Sequence, residues 1–139
     1  MKLRIRGNSI RLRLLRGEVE QFGATGRVTE TIQFGAAPGA QLIYILQADS
    51  RAQQITTNFA DNQITVTVPE AAARYWVESE MITLTSEQPI ENGKQKDTDK
   101  NGASGKVLKI LIEKDFVCLD RKDDPDNADA FSHPTGKCE

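Results

Sequence analysis

Histidine occurs once in the 139-residue chain, at His133, and the chain has neither a G-x-S-x-G nucleophile elbow nor a glycine-rich phosphate loop. Nucleophilic catalysis needs a nucleophile, a base and an acid within reach of one another, and these residues offer no such set. The composition therefore predicts a protein that is not an enzyme.

Long apolar runs are missing. The longest, at residues 42–46, is far shorter than the ~20 residues that span a bilayer. The basic residues near the N-terminus alternate with apolar ones, so they do not precede the continuous apolar region of a signal peptide. A length of 139 residues suits one domain with one core. We therefore expect a single soluble, cytoplasmic domain with no membrane partner.

Several short segments alternate apolar and polar residues, which is the pattern of strands with one buried face. They lie around residues 3–5, 10–14, 28–34, 55–59, 64–68, 81–85 and 107–112, while the apolar run at 42–46 predicts a central strand. Leu15, Val19 and Phe22 have helical spacing, and Gly23 follows where a helix commonly ends. Pro69 suits the first turn of a second helix. The predicted fold class is mainly β, of the α+β type, with two short helices.

The order strand, strand, helix, strand, strand occurs twice. At a fixed offset of 54 residues the chain matches itself without a gap from residue 8 to residue 31. The matched pairs include Asn8 with Asn62, Leu12 with Val66, Phe22 with Trp76, and Val28 with Ile82. The last strands match at an offset of 65, so the second copy carries 11 extra residues. We infer a duplication in which Phe22 and Trp76 are equivalent core residues.

A motif near the N-terminus resembles a known family. Gly7-Asn8-Ser9-Ile10-Arg11-Leu12-Arg13-Leu14, followed by Glu18-Val19 and Phe22-Gly23, resembles the opening of AbrB/MazE-type domains, which are small swapped-hairpin barrels. The resemblance implies a cradle-loop barrel, and the duplication divides this single domain of residues 1–116 into repeat one at 1–52 and repeat two at 53–116, with an insertion at 88–106. The opening also resembles that of small uncharacterised bacterial proteins, which brings no function with it.

AbrB/MazE-type domains grip DNA with basic residues around this turn and strand, so the resemblance implies a DNA-binding surface. The positions that match are Arg4, Asn8 and Arg13, and Arg6 and Arg11 would add charge nearby. Residues 1–52 hold eight Lys or Arg against four Asp or Glu, although the whole chain carries a net charge of −2. Guanidinium groups suit phosphates and guanine edges because their planar fork binds bidentately.

A plainer interpretation of the same arginines is open. Arg11 and Arg13 would form the solvated face of an amphipathic strand, which a strand on a sheet surface requires in any case. The second copy has Asn58, Thr65 and Thr67 at the positions that match Arg4, Arg11 and Arg13. A two-fold grip on DNA would therefore have lost half its charge.

Three features lie towards the C-terminus. The run from Asp97 through Asp99 and Asn101 to Gly102 matches the first half of a calcium loop, but Leu108 stands where a bidentate Glu is needed, so a polar hairpin insertion is the alternative. Residues 117–139 form a polar, acidic stretch without periodicity, which predicts a mobile tail. Cys118, His133 and Cys138 hold zinc-competent atoms without a C-x-x-C pair.

These observations predict a non-enzymatic binding or regulatory module, with DNA bound by the basic first repeat as the leading hypothesis. The leading hypothesis requires no cofactor. The alternative is a barrel that binds a protein or a ligand through its acidic insertion or tail, with calcium bound by the 97–102 loop. Trp76 is assigned to packing. The expected partners are DNA or a protein, and the chain is expected to be a monomer or a homodimer.

Overall fold

Strands and helices follow one another in the order that the sequence predicts. The computed structural model describes residues 1–90, 106–117 and 125–132. The strands are β1 (Lys2–Arg6), β2 (Ser9–Leu14), β3 (Arg27–Gln33), β4 (Gln41–Asp49), β5 (Thr56–Ala60), β6 (Gln63–Pro69), β7 (Thr83–Pro89) and β8 (Val107–Lys114). The helices are α1 (Arg16–Thr25) and α2 (Glu70–Glu78), with a short 3-10 helix at Pro125–Ala128. The mainly β, α+β class with two ββαββ units is confirmed.

The two repeats exchange strands to form two four-stranded sheets. Sheet A has the order β1-β2-β8-β7, and sheet B has the order β3-β4-β6-β5. At the centre of each sheet a strand of one repeat runs parallel to a strand of the other, β2 beside β8 and β4 beside β6. Each sheet ends in two edge strands, so the sheets are not closed into the predicted barrel. Alternation places each residue on a face of a sheet, but it does not dictate that the edges meet.

The pairing register fixes how the repeats correspond. Ser9 pairs with Lys109 in sheet A, and Gln63 pairs with Ile43 in sheet B. Since Ser9 and Gln63 are equivalent at an offset of 54, Lys109 is equivalent to Ile43, at an offset of 66 and not 65. The ungapped match ends at the helices. The pairing of β3 with β4 and of β7 with β8 makes Leu84, and not Ile82, the equivalent of Val28. Two of the added residues therefore lie between α2 and β7.

Residues with positive φ form the tight turns and end the first helix. Gly7 has a φ of 54° in the β1–β2 turn, and Asp61 and Asn62 have φ values of 51° and 58° in the β5–β6 turn. Glycine, asparagine and aspartate tolerate this left-handed region better than other residues do. Helix α1 continues past Gly23, and Gly26, with a φ of 72°, closes it. The predicted end at Gly23 is therefore wrong by one turn.

Both sheets and both helices contribute to one core. Leu12, Leu14 and Ile112 come from sheet A, and Leu46, Val66 and Val68 come from sheet B; all are at most 1% exposed. The equivalent residues Phe22 and Trp76 meet edge-to-face between α1 and α2, with their ring centroids 6.2 Å apart. Such a pair adds about 0.5–1.5 kcal/mol beyond the burial of its area. The assignment of Trp76 to packing is correct, and its indole N–H donates to the carbonyl of Ile82.

Part of the expected mobile tail packs onto the domain. The Phe131 ring lies 5.9 Å from that of Phe116. The Phe131 N–H donates to the Asp115 carbonyl at 2.8 Å, and the Phe131 carbonyl accepts from the Val117 N–H at 2.7 Å. Through these hydrogen bonds Phe131 pairs with Phe116 as an isolated parallel β-bridge beyond the end of β8. Residues 125–132 are held in place because an aromatic anchor interrupts an otherwise polar stretch, which a periodicity argument overlooks.

Among the described residues, neither helix has the length and apolarity needed to cross a membrane. Strand β7 continues to Pro89, so the predicted insertion begins beyond that residue and not at Gln88. The remainder of the predicted insertion, residues 91–105, lies outside the described ranges.

Candidate functional site

The outer face of sheet A gathers five of the eight basic residues of the first repeat. Leu12, Leu14 and Ile112 point into the core, so the residues that alternate with them in β2 and β8 point away from it. The register then places six cations on this outer face: Lys2, Arg4, Arg6, Arg11, Arg13 and Lys109. We call these six residues the basic face. The four arginines of the predicted DNA-binding surface therefore lie on one face of the sheet.

Three of the six cations are paired with carboxylates. Lys2 Nζ lies 2.9 Å from Asp115 and 3.1 Å from Asp126. The bond to Asp115 raises the pKa of the Lys2 ammonium above its ordinary value, against the effect of burial and with a further contribution from Asp126. Arg11 and Arg13 share one carboxylate, that of Glu113, at 3.7 and 3.2 Å. One carboxylate shared by two guanidinium groups leaves an excess positive charge.

The other three cations are exposed and carry no ion pair among the described residues: Arg4, Arg6 and Lys109. Arg4 lies directly opposite Arg11 across β1 and β2, and Lys2 lies directly opposite Arg13. Like charges at opposed positions of an antiparallel pair destabilise the sheet. At Lys2–Arg13 the repulsion is offset by Asp115, Asp126 and Glu113, whereas at Arg4–Arg11 only the shared carboxylate of Glu113 opposes it.

Sheet B provides an internal comparison because the duplication makes it the equivalent of sheet A. The residues equivalent to Lys2, Arg4, Arg11 and Arg13 are Thr56, Asn58, Thr65 and Thr67. Along the whole outer face of sheet B only Arg27 and Asp49 are charged, near the ends of β3 and β4. The same strand geometry thus forms with neutral outward residues, so the fold itself does not require the arginines.

Asn8 has a structural contact that its equivalent shares. Its side-chain amide donates to the carbonyl of Val107 at 2.6 Å, and its own carbonyl accepts from the N–H of Lys109 at 3.0 Å. In the second repeat Asn62 donates to the Gly39 carbonyl at 3.1 Å and accepts from Ile43. Each asparagine fastens a hairpin turn to a strand of the other repeat. Retention of asparagine in both copies fits this fastening role.

The first residue anchors β1 beneath the basic face. The α-ammonium of Met1 contacts the carboxylates of Glu18 and Glu30, and the Tyr44 hydroxyl donates to the Met1 carbonyl at 3.0 Å. Burial acts to lower the pKa of this ammonium, but the bonds to the two carboxylates outweigh it, so the pKa is raised. These contacts hold the strand that carries Arg4 and Arg6 against the core.

The predicted metal ligands lie outside the described ranges: Asp97, Asp99, Asn101, Cys118, His133 and Cys138. Within those ranges no group of three or more His, Cys, Asp and Glu side chains is placed to hold a metal ion. Calcium binding by the 97–102 loop therefore stays a sequence prediction.

Sequence reasoning missed Lys109. It occupies an acidic half of the chain, and only the pairing of β8 with β2 brings it beside the arginines of the first repeat. The alternation of β8 does mark Lys109 as an outward residue, but no local signal indicates which strand it will adjoin.

Comparison with known proteins identifies the family. The DUF7009 family, a family of unknown function, matches residues 1–135. The chain belongs to this family. The match covers both repeats and the 125–132 segment, which agrees with the expectation of a small uncharacterised family. No match was found among curated proteins or among solved structures. Membership of DUF7009 therefore assigns no activity, and the comparisons give no support to an AbrB/MazE relationship.

Proposed function

We propose that this protein is a non-enzymatic DNA-binding module, and that the basic face of sheet A contacts the phosphates of duplex DNA. The observation that carries the proposal is the difference between the two equivalent sheets. Sheet A accepts opposed cations at Arg4–Arg11 and Lys2–Arg13, whereas sheet B has neutral residues at the same positions. A destabilising arrangement that the fold does not need is best explained by a polyanionic ligand that relieves it.

The spacing of the cations suits a phosphate backbone. Arg4 and Arg6 are two residues apart on one strand, a separation of about 6.8 Å, and neighbouring strands lie about 4.8 Å apart. Duplex DNA presents one negative charge per ~1.7 Å of its axis, so an array at this density can meet several phosphates at once. Arg4, Arg6 and Lys109 are exposed, and no ion pair within the described chain has to break before they bind.

Backbone contact is favoured over base stacking. The outward positions of sheet A in the described ranges hold no aromatic residue, and Leu111 at their centre is aliphatic. Single strands are usually bound by stacking bases on aromatic rings, for which this face has no platform. Phosphate contacts fix a protein's position without reading sequence. We therefore expect duplex binding with little sequence preference.

The AbrB/MazE resemblance adds support of a weaker kind. Its motif covers the β1–β2 turn and β2, which contribute Arg4, Arg6, Arg11 and Arg13 to the basic face. The role of Asn8 differs in this proposal, since its amide is engaged with Val107. We assign Asn8 to positioning the hairpin and not to contact with DNA.

The test is the salt dependence of binding to a duplex of arbitrary sequence. Arg4→Thr combined with Arg6→Thr removes two cations and breaks no ion pair of the described chain. Each lost phosphate contact should reduce the slope of log K against log salt by about 0.9, so the double variant should lose about 1.8. The charge-matched control is Arg27→Thr with Arg74→Gln, which lie off the basic face and should leave the slope unchanged.

Two outcomes would contradict the proposal. One is an absence of duplex binding by the unmodified protein at low salt. The other is an equal loss of slope in the control, which would assign binding to net charge and not to the basic face.

A further inference from the structure

The 125–132 segment fills a groove beside the end of β8. The Phe131 ring lies 5.6 Å from the Arg16 guanidinium and 5.7 Å from Lys114 Nζ, and its N–H is bonded to the Asp115 carbonyl. The Asp129 carboxylate accepts from the Gly17 N–H at 3.1 Å. An aromatic side chain and an acidic neighbour thus occupy the space between the start of α1 and the end of β8.

The duplication provides a second groove of the same construction. The residues equivalent to Arg16, Lys114 and Asp115 are Glu70, Ala48 and Asp49. All three line an open cavity of about 930 Å³ between α1, α2 and the end of β4. Its floor contains small and apolar residues, among them Gly23, Ala48, Ala73 and Val77. Ala48 leaves free the space that the long Lys114 side chain takes in the first groove.

The charges of the two grooves are opposite. The occupied groove presents Arg16 and Lys114, and its occupant brings Asp126 and Asp129. The open groove has four carboxylates at its rim, Glu20, Asp49, Glu70 and Glu78, against two arginines. Asp49 pairs with Arg51 at 3.4 Å and Glu70 pairs with Arg74 at 3.5 Å. Among the described residues, Glu20 and Glu78 have no cationic partner, so the rim is acidic.

We propose that the open groove binds a short basic segment of a partner protein through one aromatic anchor. The chain's own Phe131 segment shows what such a groove accepts, namely a 3-10 turn followed by one residue that bridges to the chain beyond the central strand β8 and places its ring in the groove. The inverted rim charge then selects a basic occupant where the first groove selects an acidic one. This groove lies apart from the basic face, so the proposal stands independently of DNA binding.

The probe is a synthetic peptide with the sequence of residues 125–132 in which the two aspartates are replaced by lysine, Asp126→Lys and Asp129→Lys. Binding is followed by amide chemical shifts of the full-length protein at up to millimolar peptide. Shifts should concentrate at Gly23, Ala48 and Val77. Replacing the peptide's Phe by Ala should weaken binding more than about tenfold, because a buried aromatic anchor is lost.

Protein variants test the rim. Glu20→Gln with Glu78→Gln should weaken the basic peptide about three- to tenfold, as expected for two partly screened charge contacts. The charge-matched control, Asp61→Asn with Glu87→Gln, lies away from the groove and should bind as the unmodified protein does. The unaltered acidic peptide should bind more weakly than the basic one.

Several results would overturn the proposal. They are absence of shifts at millimolar basic peptide, shifts confined to the basic face, equal binding of the acidic peptide, and an equal effect of the control variant. Self-association detected by sedimentation, with shifts in the groove as concentration rises, would assign the groove to a second copy. Groove shifts on deletion of residues 133–139 would assign it to the chain's own C-terminus.

Discussion

Arg4 and Arg11 lie directly opposite each other on antiparallel strands, with both side chains on the face that points away from the core. Their equivalents on the other sheet, Asn58 and Thr65, are also directly opposed but carry no charge. The pair therefore isolates one contribution to stability, the repulsion between two guanidinium groups, in a setting where the fold tolerates neutral residues.

Arg4→Thr should stabilise the protein. Removing one member of an opposed like-charge pair relieves about 0.2–1 kcal/mol of repulsion, and threonine suits a strand. Urea denaturation at low ionic strength measures the gain, which should shrink at 1 M salt because the charges are then screened. Arg27→Thr, at an exposed edge position of sheet B, is the control and should show no such salt-dependent gain. Destabilisation by Arg4→Thr at both salt concentrations would contradict the repulsion.

Asn8→Ala should reduce stability without reducing intrinsic affinity for DNA. The side-chain amide of Asn8 donates to the Val107 carbonyl and that of Asn62 to the Gly39 carbonyl, so the Asn8→Ala and Asn62→Ala variants should each lose about 1 kcal/mol. Urea denaturation gives the stabilities, and duplex binding is measured where both variants are folded. A loss of affinity in Asn8→Ala with unchanged stability would instead make Asn8 a ligand contact.

Gly23→Ala should destabilise the protein even though alanine favours helices. A Cβ at Gly23 would lie 2.8 Å from Val77 Cγ1, on a stiff β-branched side chain. Overpacking of this kind costs about 1–3 kcal/mol. In a Val77→Ala background the clash disappears, and Gly23→Ala should then stabilise by up to about 1 kcal/mol through helix propensity. A double-mutant cycle measures this change of sign, and additive effects would exclude the contact.

Lys114 should make stability increase with pH. Desolvation lowers the pKa of its ammonium, with partial compensation from the charge of Glu80, while Nζ donates to the Ser79 carbonyl at 2.7 Å. The unfolded state therefore binds the Lys114 proton more tightly than the folded state does. Burying the charged ammonium reduces the free energy of unfolding, and this loss is relieved as pH rises from the folded pKa towards 10.5. The difference in unfolding free energy between the unmodified protein and Lys114→Met should shift in favour of the unmodified protein over that window. A constant difference would contradict the lowered pKa.

Much of the local structure could be predicted because it depends on neighbouring residues. Alternation assigned Leu12 and Leu14 to the core and Arg11 and Arg13 to the opposite face. Helical spacing placed Val19 and Phe22 inside, where both are at most 3% exposed. The end of α1 was misplaced because Gly23 and Gly26 are both plausible helix terminators, and only the approach of Val77 explains a glycine at the earlier position.

The strand partners could not be predicted, and the site depends on them. Pairing of β2 with β8 joins residues about a hundred positions apart, and no local pattern reports it. The contribution of Lys109 to the basic face, the open edges of the sheets and the packing of Phe131 all follow from such distant contacts. The groove over Ala48 could not be predicted either. It is recognised as a binding groove only because the equivalent groove over Lys114 is filled by the 125–132 segment.

The exchange of strands between repeats also bears on how the chain acquires its structure. Neither sheet can be completed by one repeat. Sheet A cannot form until β8 has been synthesised and can pair with β2. Because closing such distant contacts is entropically slow, we expect folding to be slow for a chain of this size and to occur after translation. Until then the first repeat leaves one hydrogen-bonding edge of β2 unpaired, which makes the nascent chain a candidate for chaperone capture.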